Sequence, residues 1–212
     1  MIISHQKEFI FIHNYKVAGT SIRNALNQFN NHTFRSSKHI DKIKFTLGLY
    51  PKIYTSTFSG HIKANDLKKE ISKKVFDNYF KFGFVRNPWD WQVSLYTYML
   101  KLESHHQHDL IKSMKNFDEY IDWRVHNDLH LQKEFFYDKD KCLMDFIGKI
   151  ENLEEDFKSV CEKVKINVEL PHLNVSRKND NYLKYYSKES LLMVKEAFEE
   201  DIKLFGYSTP EL

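Results

Sequence analysis

From Glu8 to Phe29 the chain reads EFIFIHNYKVAGTSIRNALNQF. The residues between Glu8 and His13 are apolar, which is typical of a short buried strand, whereas apolar residues at positions 22, 25, 26 and 29 have the spacing of a helix. The loop between the two contains one lysine, one glycine and two hydroxyl side chains. A strand that runs through such a loop into a helix directs main-chain N–H groups and the positive end of the helix dipole at one point. This stretch therefore predicts an anion-binding site.

The composition is that of one packed domain. The 212 residues are 42% hydrophobic and 15% aromatic, which is enough for a sizeable core and not typical of disorder. A formal net charge of +3, from 32 basic and 29 acidic residues, does not favour a nucleic-acid-binding surface. The chain has no internal repeat and no Pro/Gly/Ser-rich linker, so we expect a single domain over residues 1–212. Composition indicates no oligomeric state.

The two cysteines and the apolar runs predict a cytoplasmic protein that does not span a membrane. Cys142 and Cys161 form no metal-ligand pattern, and reduced thiols are the simpler interpretation. The first strand begins within a few residues of Met1, which leaves no space for a signal peptide. No apolar run approaches the ~20 residues that a transmembrane helix needs.

Strand and helix patterns alternate along the chain. We expect strands at residues 8–13, 53–58, 80–85 and 143–148, and helices at residues 20–29, 67–75, 88–100, 117–125, 153–164 and 187–205. Such an order predicts an α/β fold with a central parallel sheet and helices on both faces. Ligands in these folds bind beyond the carboxyl ends of the strands, where His13, His61 and Arg86 lie in the sequence.

The loop after the first strand differs from the Mg²⁺-nucleotide loop of P-loop enzymes. In that motif a glycine precedes the lysine and a serine or threonine follows it, whereas here Lys16 precedes Gly19 and is followed by Val17. The third strand ends in Arg86 rather than in an acidic residue. We therefore expect an anion site without a metal. The alternative for the loop alone is an ordinary strand-to-helix turn with a solvated lysine.

A second anion site is predicted after the third strand. Asn87 is a suitable N-cap, Pro88 suits the first helical position and Asp90 lies in the first turn. A guanidinium at Arg86, beside this helix N-terminus, suits a phosphate, and Ser94 two turns further on offers a hydroxyl donor. A structural salt bridge of Arg86 is the open alternative.

Together these stretches resemble the sulfotransferases that use 3′-phosphoadenosine 5′-phosphosulfate, most closely the carbohydrate sulfotransferase branch. Residues 11–21 are similar to that family's 5′-phosphosulfate loop, and residues 82–96 to its 3′-phosphate motif. Weaker similarities are found at residues 146–153, 170–176 and 201–207. The chain departs from the family pattern at Tyr15, where proline is usual, and at Ala18, where a second glycine is frequent. No family motif is recognised between residues 100 and 136.

The resemblance implies a fold like that of P-loop NTPases and a role for each loop residue. Lys16 would contact the bridging oxygen of the donor and stabilise the leaving phosphate. The 5′-phosphosulfate would be held by the main chain and hydroxyls of the residues that follow, Val17, Ala18, Gly19, Thr20 and Ser21. Arg86 and Ser94 would bind the 3′-phosphate. The transfer would be an in-line displacement that depends on positioning and charge stabilisation.

A histidine base is expected for the acceptor hydroxyl, which must lose a proton. His61 matches the family position of the catalytic histidine, and His13, which directly precedes the loop, is expected to brace it. Ser176 and Arg177 (with Lys178) are candidates for further donor contacts, with a solvated basic loop as the alternative. A segment rich in histidine, residues 105–109, lacks the spacing of a helical metal site and indicates a solvated loop.

Two other functions compete with sulfuryl transfer. One is a P-loop-type kinase or NTPase, which the order of the loop residues does not favour. The other is a catalytically silent nucleotide-binding protein of the same fold. The resemblance favours a carbohydrate acceptor, although a small molecule, lipid or peptide tyrosine stays open.

Overall fold

A computed structural model describes residues 1–34, 54–56, 59–171 and 182–211, with the main chain alone for 32–34 and 54–56. The chain divides into two compact units, Met1–Phe84 with Glu134–Asn174 and Val85–Lys133 with Val175–Leu212. The prediction of a single domain over residues 1–212 stays a prediction.

The first unit contains a four-stranded sheet. The strands are β1 (Ile2–Ser4), β2 (Phe9–Phe11), β5 (Phe80–Val85) and β8 (Phe146–Lys149), side by side in the order β1-β2-β5-β8. β2 and β5 are parallel, with Phe9 opposite Phe80, whereas β1 runs antiparallel to β2. The predicted strand at residues 80–85 is thus confirmed in full. The sheet is mixed rather than purely parallel.

The alternation of side chains along β2 and β5 gives the sheet two covered faces. On one face, phenylalanines 9, 11, 82 and 84 form a core with helices α1 (Gly19–Leu26) and α7 (Leu153–Lys163). Side chains on the opposite face include Lys81, whose Nζ lies 5.5 Å from the ring centroid of Phe76 in helix α3 (Lys73–Asn78). Burial of each such apolar side chain stabilises the fold by about 1.5–3 kcal/mol. The predicted α/β arrangement, a sheet with helices on both faces, is confirmed.

The second predicted strand does not belong to this sheet. β4 (Tyr54–Ser56) pairs with β3 (His32–Phe34) in parallel, forming a separate two-stranded sheet. Positions 53, 57 and 58 of the prediction lie outside the described residues. β6 (Tyr137–Asp138) and β7 (Lys141–Cys142) form a short antiparallel pair. The strand predicted at residues 143–148 begins only at Phe146, in β8.

Two helix predictions and one loop prediction need correction. The lysine-rich helix is two helices, α2 (Ala64–Glu70) and α3, because Ser72 caps a new helix through the Val75 N–H. The last helix is likewise divided, into α8 (Lys188–Ala197) and α9 (Glu199–Leu204). His108 is not solvated: it begins helix α5 (His108–Ser113), and its buried Nδ1 bonds the main-chain oxygen of Met99 at 2.9 Å.

The second unit packs helices α4 (Pro88–Lys101), α6 (Phe117–Asn127), α8 and α9 around buried tryptophans. Trp89 is fully buried, and its indole N–H donates to the Leu191 carbonyl at 3.0 Å. Asn87 caps α4 as predicted, since its side chain accepts from the N–H groups of Trp89 and Asp90. Gly206, with φ of 61°, follows α9 in the left-handed conformation that glycine favours.

Candidate active site

The predicted anion loop follows β2 directly. The N–H of Ile12 still donates to the Phe82 carbonyl at 2.9 Å, so the strand pairing extends to the residue before His13. His13 and Asn14 are buried, whereas Tyr15 is 46% exposed and Lys16 is half-buried. The rigid sheet edge therefore supports the start of the loop, and Tyr15 is its first exposed residue.

Helix α1 begins at Gly19, one residue before the predicted start at residue 20. Its N-cap is Ala18, whose side chain cannot accept a hydrogen bond, and Gly19, Thr20 and Ser21 form the first turn. Ala18 and Lys16 both have left-handed main chains, with φ of 55° and 58°. Such a conformation costs an L-residue about 1–2 kcal/mol. Left-handed residues at alternating positions are a feature of the main-chain nests that bind anions.

Gly19 is required by a close approach of the His13 ring. A Cβ atom at Gly19 would lie 1.6 Å from His13 Nε2, so any side chain there displaces the imidazole. His13 also stacks on Phe11, with ring centroids 5.8 Å apart. The ring thus fills the space between the strand end and the first turn of α1. This packing supports the bracing role predicted for His13.

His61 lies against the same loop. Its Nδ1 is 3.0 Å from the main-chain oxygen of His13, and the two imidazole centroids are 4.2 Å apart. A carbonyl oxygen only accepts, so Nδ1 carries the proton and Nε2 of neutral His61 has a lone pair. This tautomer suits a general base. The structure thus places His61 at the start of the anion loop, against His13 and Tyr15. Its catalytic role stays a prediction.

Burial lowers the pKa of both histidines. Burial, with smaller effects from nearby positive groups and from His61, lowers the pKa of His13 from 6.5 to about 2. Within the described part of the chain, the buried Nδ1 of His13 has no hydrogen-bond partner. Burial also lowers the pKa of His61, while the hydrogen bond to the His13 carbonyl opposes this shift. Both rings are therefore neutral at pH 7, and only His61 is half-exposed.

Tyr15 is a neighbour of the site to which sequence reasoning gave no role. Its ring stacks on the His61 imidazole with centroids 4.3 Å apart and planes 25° apart. The only signal in the sequence was the departure from the usual proline at this position, which by itself indicates no partner.

Arg86 lies in the second unit, in a dense network of polar groups. Its Nε and Nη2 donate to the two carboxylate oxygens of Asp90 at 2.6 and 2.9 Å. Its main-chain N–H and C=O are both bonded by the side-chain amide of Gln132, at 3.0 and 2.7 Å. The main-chain N–H of Gln132 in turn donates to Asp201 at 2.7 Å. The salt bridge considered for Arg86 is thus present, and a phosphate role for Arg86 stays a prediction.

Among the other predicted donor ligands, the structure describes only Ser94. Ser94 is half-buried in α4, one helical turn beyond Asp90. Ser176, Arg177 and Lys178 lie outside the described residues.

Among the residues that the structure describes, no group of three or more His, Cys, Asp or Glu could hold a metal ion, and no helix is long and apolar enough to cross a membrane.

The sheet with helices on both faces, and the loop and helix N-terminus that follow β2, place the chain in the α/β class of proteins. A family model narrows this class: the sulfotransferase family model matches residues 1–208. The chain belongs to the sulfotransferase family. This assignment confirms the resemblance seen in the sequence and does not favour the kinase or NTPase alternative.

One relative and one solved structure illustrate the similarity of this chain to known proteins. An uncharacterized protein of Archaeoglobus fulgidus is 33% identical over 126 residues, which cover 56% of this chain and 94% of the relative. A solved structure, mouse sulfotransferase SULT7A1 complexed with PAP, is 15% identical with a TM-score of 0.46, over 95% of this chain and 86% of the mouse chain.

Proposed function

We propose that this protein transfers a sulfuryl group from 3′-phosphoadenosine 5′-phosphosulfate to an acceptor hydroxyl, with His61 as general base. The observation that carries the proposal is the hydrogen bond from His61 Nδ1 to the His13 carbonyl, which leaves Nε2 basic beside the anion loop. Membership of the sulfotransferase family supports the reaction class.

The loop supplies the groups that a phosphosulfate requires. The main-chain N–H groups of residues 17–21, at the start of α1, suit the anionic oxygens of the donor. The Thr20 and Ser21 hydroxyls add donors, and the Lys16 ammonium is assigned to the bridging oxygen. These groups stabilise charge that develops on the leaving phosphate, the usual source of catalysis in such displacements.

The step balances with the residues present. The acceptor oxygen forms a bond to sulfur while the bond between sulfur and the phosphate oxygen breaks. The hydroxyl proton passes to Nε2 of His61, and the electron pair of the broken bond stays on the phosphate beside Lys16. A base that is neutral at pH 7 and within reach of the acceptor is worth about 10²–10⁴-fold in rate.

The 3′-phosphate is assigned to Arg86 and Ser94, with Ser176 and Arg177 as further donor contacts. Arg86 carries a fixed charge at the end of β5, next to the N-terminus of α4. Asp90 already binds two of its nitrogen atoms, so the proposal requires the phosphate to share the guanidinium with a carboxylate.

A hydroxyl-bearing carbohydrate is the proposed acceptor, on the strength of the resemblance to the carbohydrate branch alone. Incubation with the radiolabelled donor and a panel of sugars, phenols, tyrosine peptides and small alcohols would identify the acceptor. We expect transfer to at least one sugar, and transfer only to another class would replace the carbohydrate assignment.

Matched variants test the two catalytic assignments. Lys16→Ala and His61→Ala should each lower kcat by about 10²-fold or more. The controls are Lys195→Ala and His126→Ala, which remove exposed side chains from helices α8 and α6 and should keep full activity. Full activity of His61→Ala would overturn the base assignment.

Calorimetry separates the remaining alternatives. Tight binding of adenosine 3′,5′-bisphosphate without transfer to any acceptor would indicate a silent nucleotide-binding protein. Tighter binding of ATP with Mg²⁺ than of the bisphosphate would indicate a kinase or NTPase.

A further inference from the structure

We propose that Tyr15 is a positioning residue that fixes the orientation of the His61 imidazole by ring stacking, so that Nδ1 stays on the His13 carbonyl and Nε2 is the basic atom. The inference rests on the proposed function of His61 and adds a residue that the resemblance does not supply.

A single hydrogen bond does not hold an imidazole ring. The bond from His61 Nδ1 to the His13 carbonyl fixes one atom, and the ring plane could still pivot about that contact. Two aromatic neighbours restrict the pivot: the His13 ring at 4.2 Å with a 37° interplanar angle, and the Tyr15 ring at 4.3 Å with a 25° angle. The Tyr15 contact is the closer to parallel stacking, so rotation of His61 requires Tyr15 to move.

Tyr15 is itself held on the surface, although it is 46% exposed. Its ring meets Phe135 edge to face, with centroids 5.3 Å apart and planes 86° apart. Such aromatic pairs contribute about 0.5–1.5 kcal/mol beyond the area they bury. The N–H of Tyr15 also donates to the side-chain oxygen of the buried Asn14 at 2.7 Å, which fixes the direction of the main chain.

An ion pair connects the segment that carries His61 with the segment that carries Phe135. Lys63 lies two residues after His61 in the sequence, and Glu134 lies one residue before Phe135. The distance from Lys63 Nζ to Glu134 Oε2 is 2.5 Å. Three stretches of the first unit, around Tyr15, His61 and Phe135, thus converge on one aromatic group. Because the stack is a contact between rings, we expect phenylalanine at position 15 to keep the orientation of His61.

Two readouts distinguish positioning from loop packing. The first is the tautomer of His61, measured by ¹⁵N NMR of histidine-labelled protein, with the His61 signals assigned from their loss in a His61→Gln variant. We expect Nδ1–H in wild type and in Tyr15→Phe, and mixed tautomers in Tyr15→Ala. Tyr98→Ala removes a half-exposed tyrosine that meets a different histidine, His105, at 5.9 Å, and should leave His61 unchanged.

The second readout is a double-mutant cycle on kcat. Tyr15→Ala should lower kcat about tenfold or more, as small misplacements of catalytic groups do. The affinity of the Tyr15→Ala variant for adenosine 3′,5′-bisphosphate should change less than about twofold, because Tyr15 acts through His61. In a His61→Ala background the same substitution should lower kcat no further.

The proposal is overturned if Tyr15→Ala keeps the wild-type tautomer, or if it lowers kcat by the same factor with and without His61. A parallel loss of bisphosphate affinity and kcat would likewise overturn it, in favour of a packing role in the anion loop. If no acceptor is sulfated, the proposed function fails while the NMR comparison still decides whether Tyr15 orients His61.

Discussion

His61 donates its Nδ1 proton to the main-chain oxygen of His13 across 3.0 Å. The two histidines on either side of this contact have different surroundings. His13 is buried under the first turn of α1 and contributes a carbonyl, whereas His61 keeps a basic Nε2 and a half-exposed ring. The sequence favoured His61 as the base and His13 as the brace, and both roles stay predictions.

The first prediction concerns the acid limb of activity. Burial lowers the pKa of His61 below 6.5, and the base acts only when neutral. We therefore expect kcat/KM to be flat from pH 8 down to about 6.5 and to fall about tenfold per unit once the pH is below the lowered pKa. Steady-state rates of wild type, with His126→Ala as the histidine control, give the profile. An acid limb whose midpoint lies above 6.5 would contradict the role of His61.

The second prediction uses two glycines near the site. Gly19→Ala places a Cβ 1.6 Å from the His13 ring, whereas a Cβ at Gly60 meets no atom within 4 Å among the described residues. Gly19→Ala should lower the unfolding free energy by about 1–3 kcal/mol, as overpacking does, and should also weaken bisphosphate binding. Gly60→Ala should change neither by a measurable amount. Thermal melts and calorimetry of both variants provide the comparison, and an unperturbed Gly19→Ala protein would show that the ring moves at no cost.

Local signals in the sequence predicted local structure well. The Asn87-Pro88 cap and the apolar run before it defined the end of β5 and the start of α4, because capping depends on adjacent residues. The position of the anion loop also followed from the end of β2. His61 was expected at the carboxyl end of a strand in the same sheet, but the strand before it, β4, belongs to a separate sheet. The pairing of β4 with β3 could not be predicted, since a strand pattern does not name its partner.

The sequence also could not predict contacts between residues that are far apart in the chain. The i,i+4 spacing of Arg86 and Asp90 is visible in the sequence and indicates an ion pair. The contacts of Gln132 with Arg86 and Asp201 span 46 and 69 residues, and nothing in the sequence links them. The stack of Tyr15 on His61, 46 positions later in the chain, was hidden for the same reason.

The third prediction decides between a phosphate role and a structural role for Arg86. If Arg86 contacts the 3′-phosphate, Arg86→Lys should lower the affinity for adenosine 3′,5′-bisphosphate about tenfold or more and leave that for adenosine 5′-phosphate nearly unchanged, because lysine lacks the bidentate geometry. Ser94→Ala should act in the same direction without loss of stability, and Ser159→Ala, on the exposed face of α7, is its control. If Arg86→Lys loses the same affinity for both nucleotides, the role of Arg86 is structural, as the salt-bridge partner of Asp90, and not a contact with the 3′-phosphate.

The fourth prediction concerns stability in acid. His13 has a pKa of about 2 in the folded protein and an ordinary value of 6.5, so the unfolded chain binds a proton that the folded chain excludes. Stability from this group is fully present above pH 6.5 and is lost as the pH falls from 6.5 towards 2. The loss is about 1.4 kcal/mol for each pH unit. A His13→Asn variant does not titrate there, so denaturant unfolding between pH 7 and 4.5 should show a slope against pH that is shallower by that amount. The readout is the slope rather than the absolute stability, because Asn also changes the packing beneath Gly19. Equal slopes in the two proteins would mean that His13 becomes protonated in the folded state, and that the ring beneath α1 is not sealed from water.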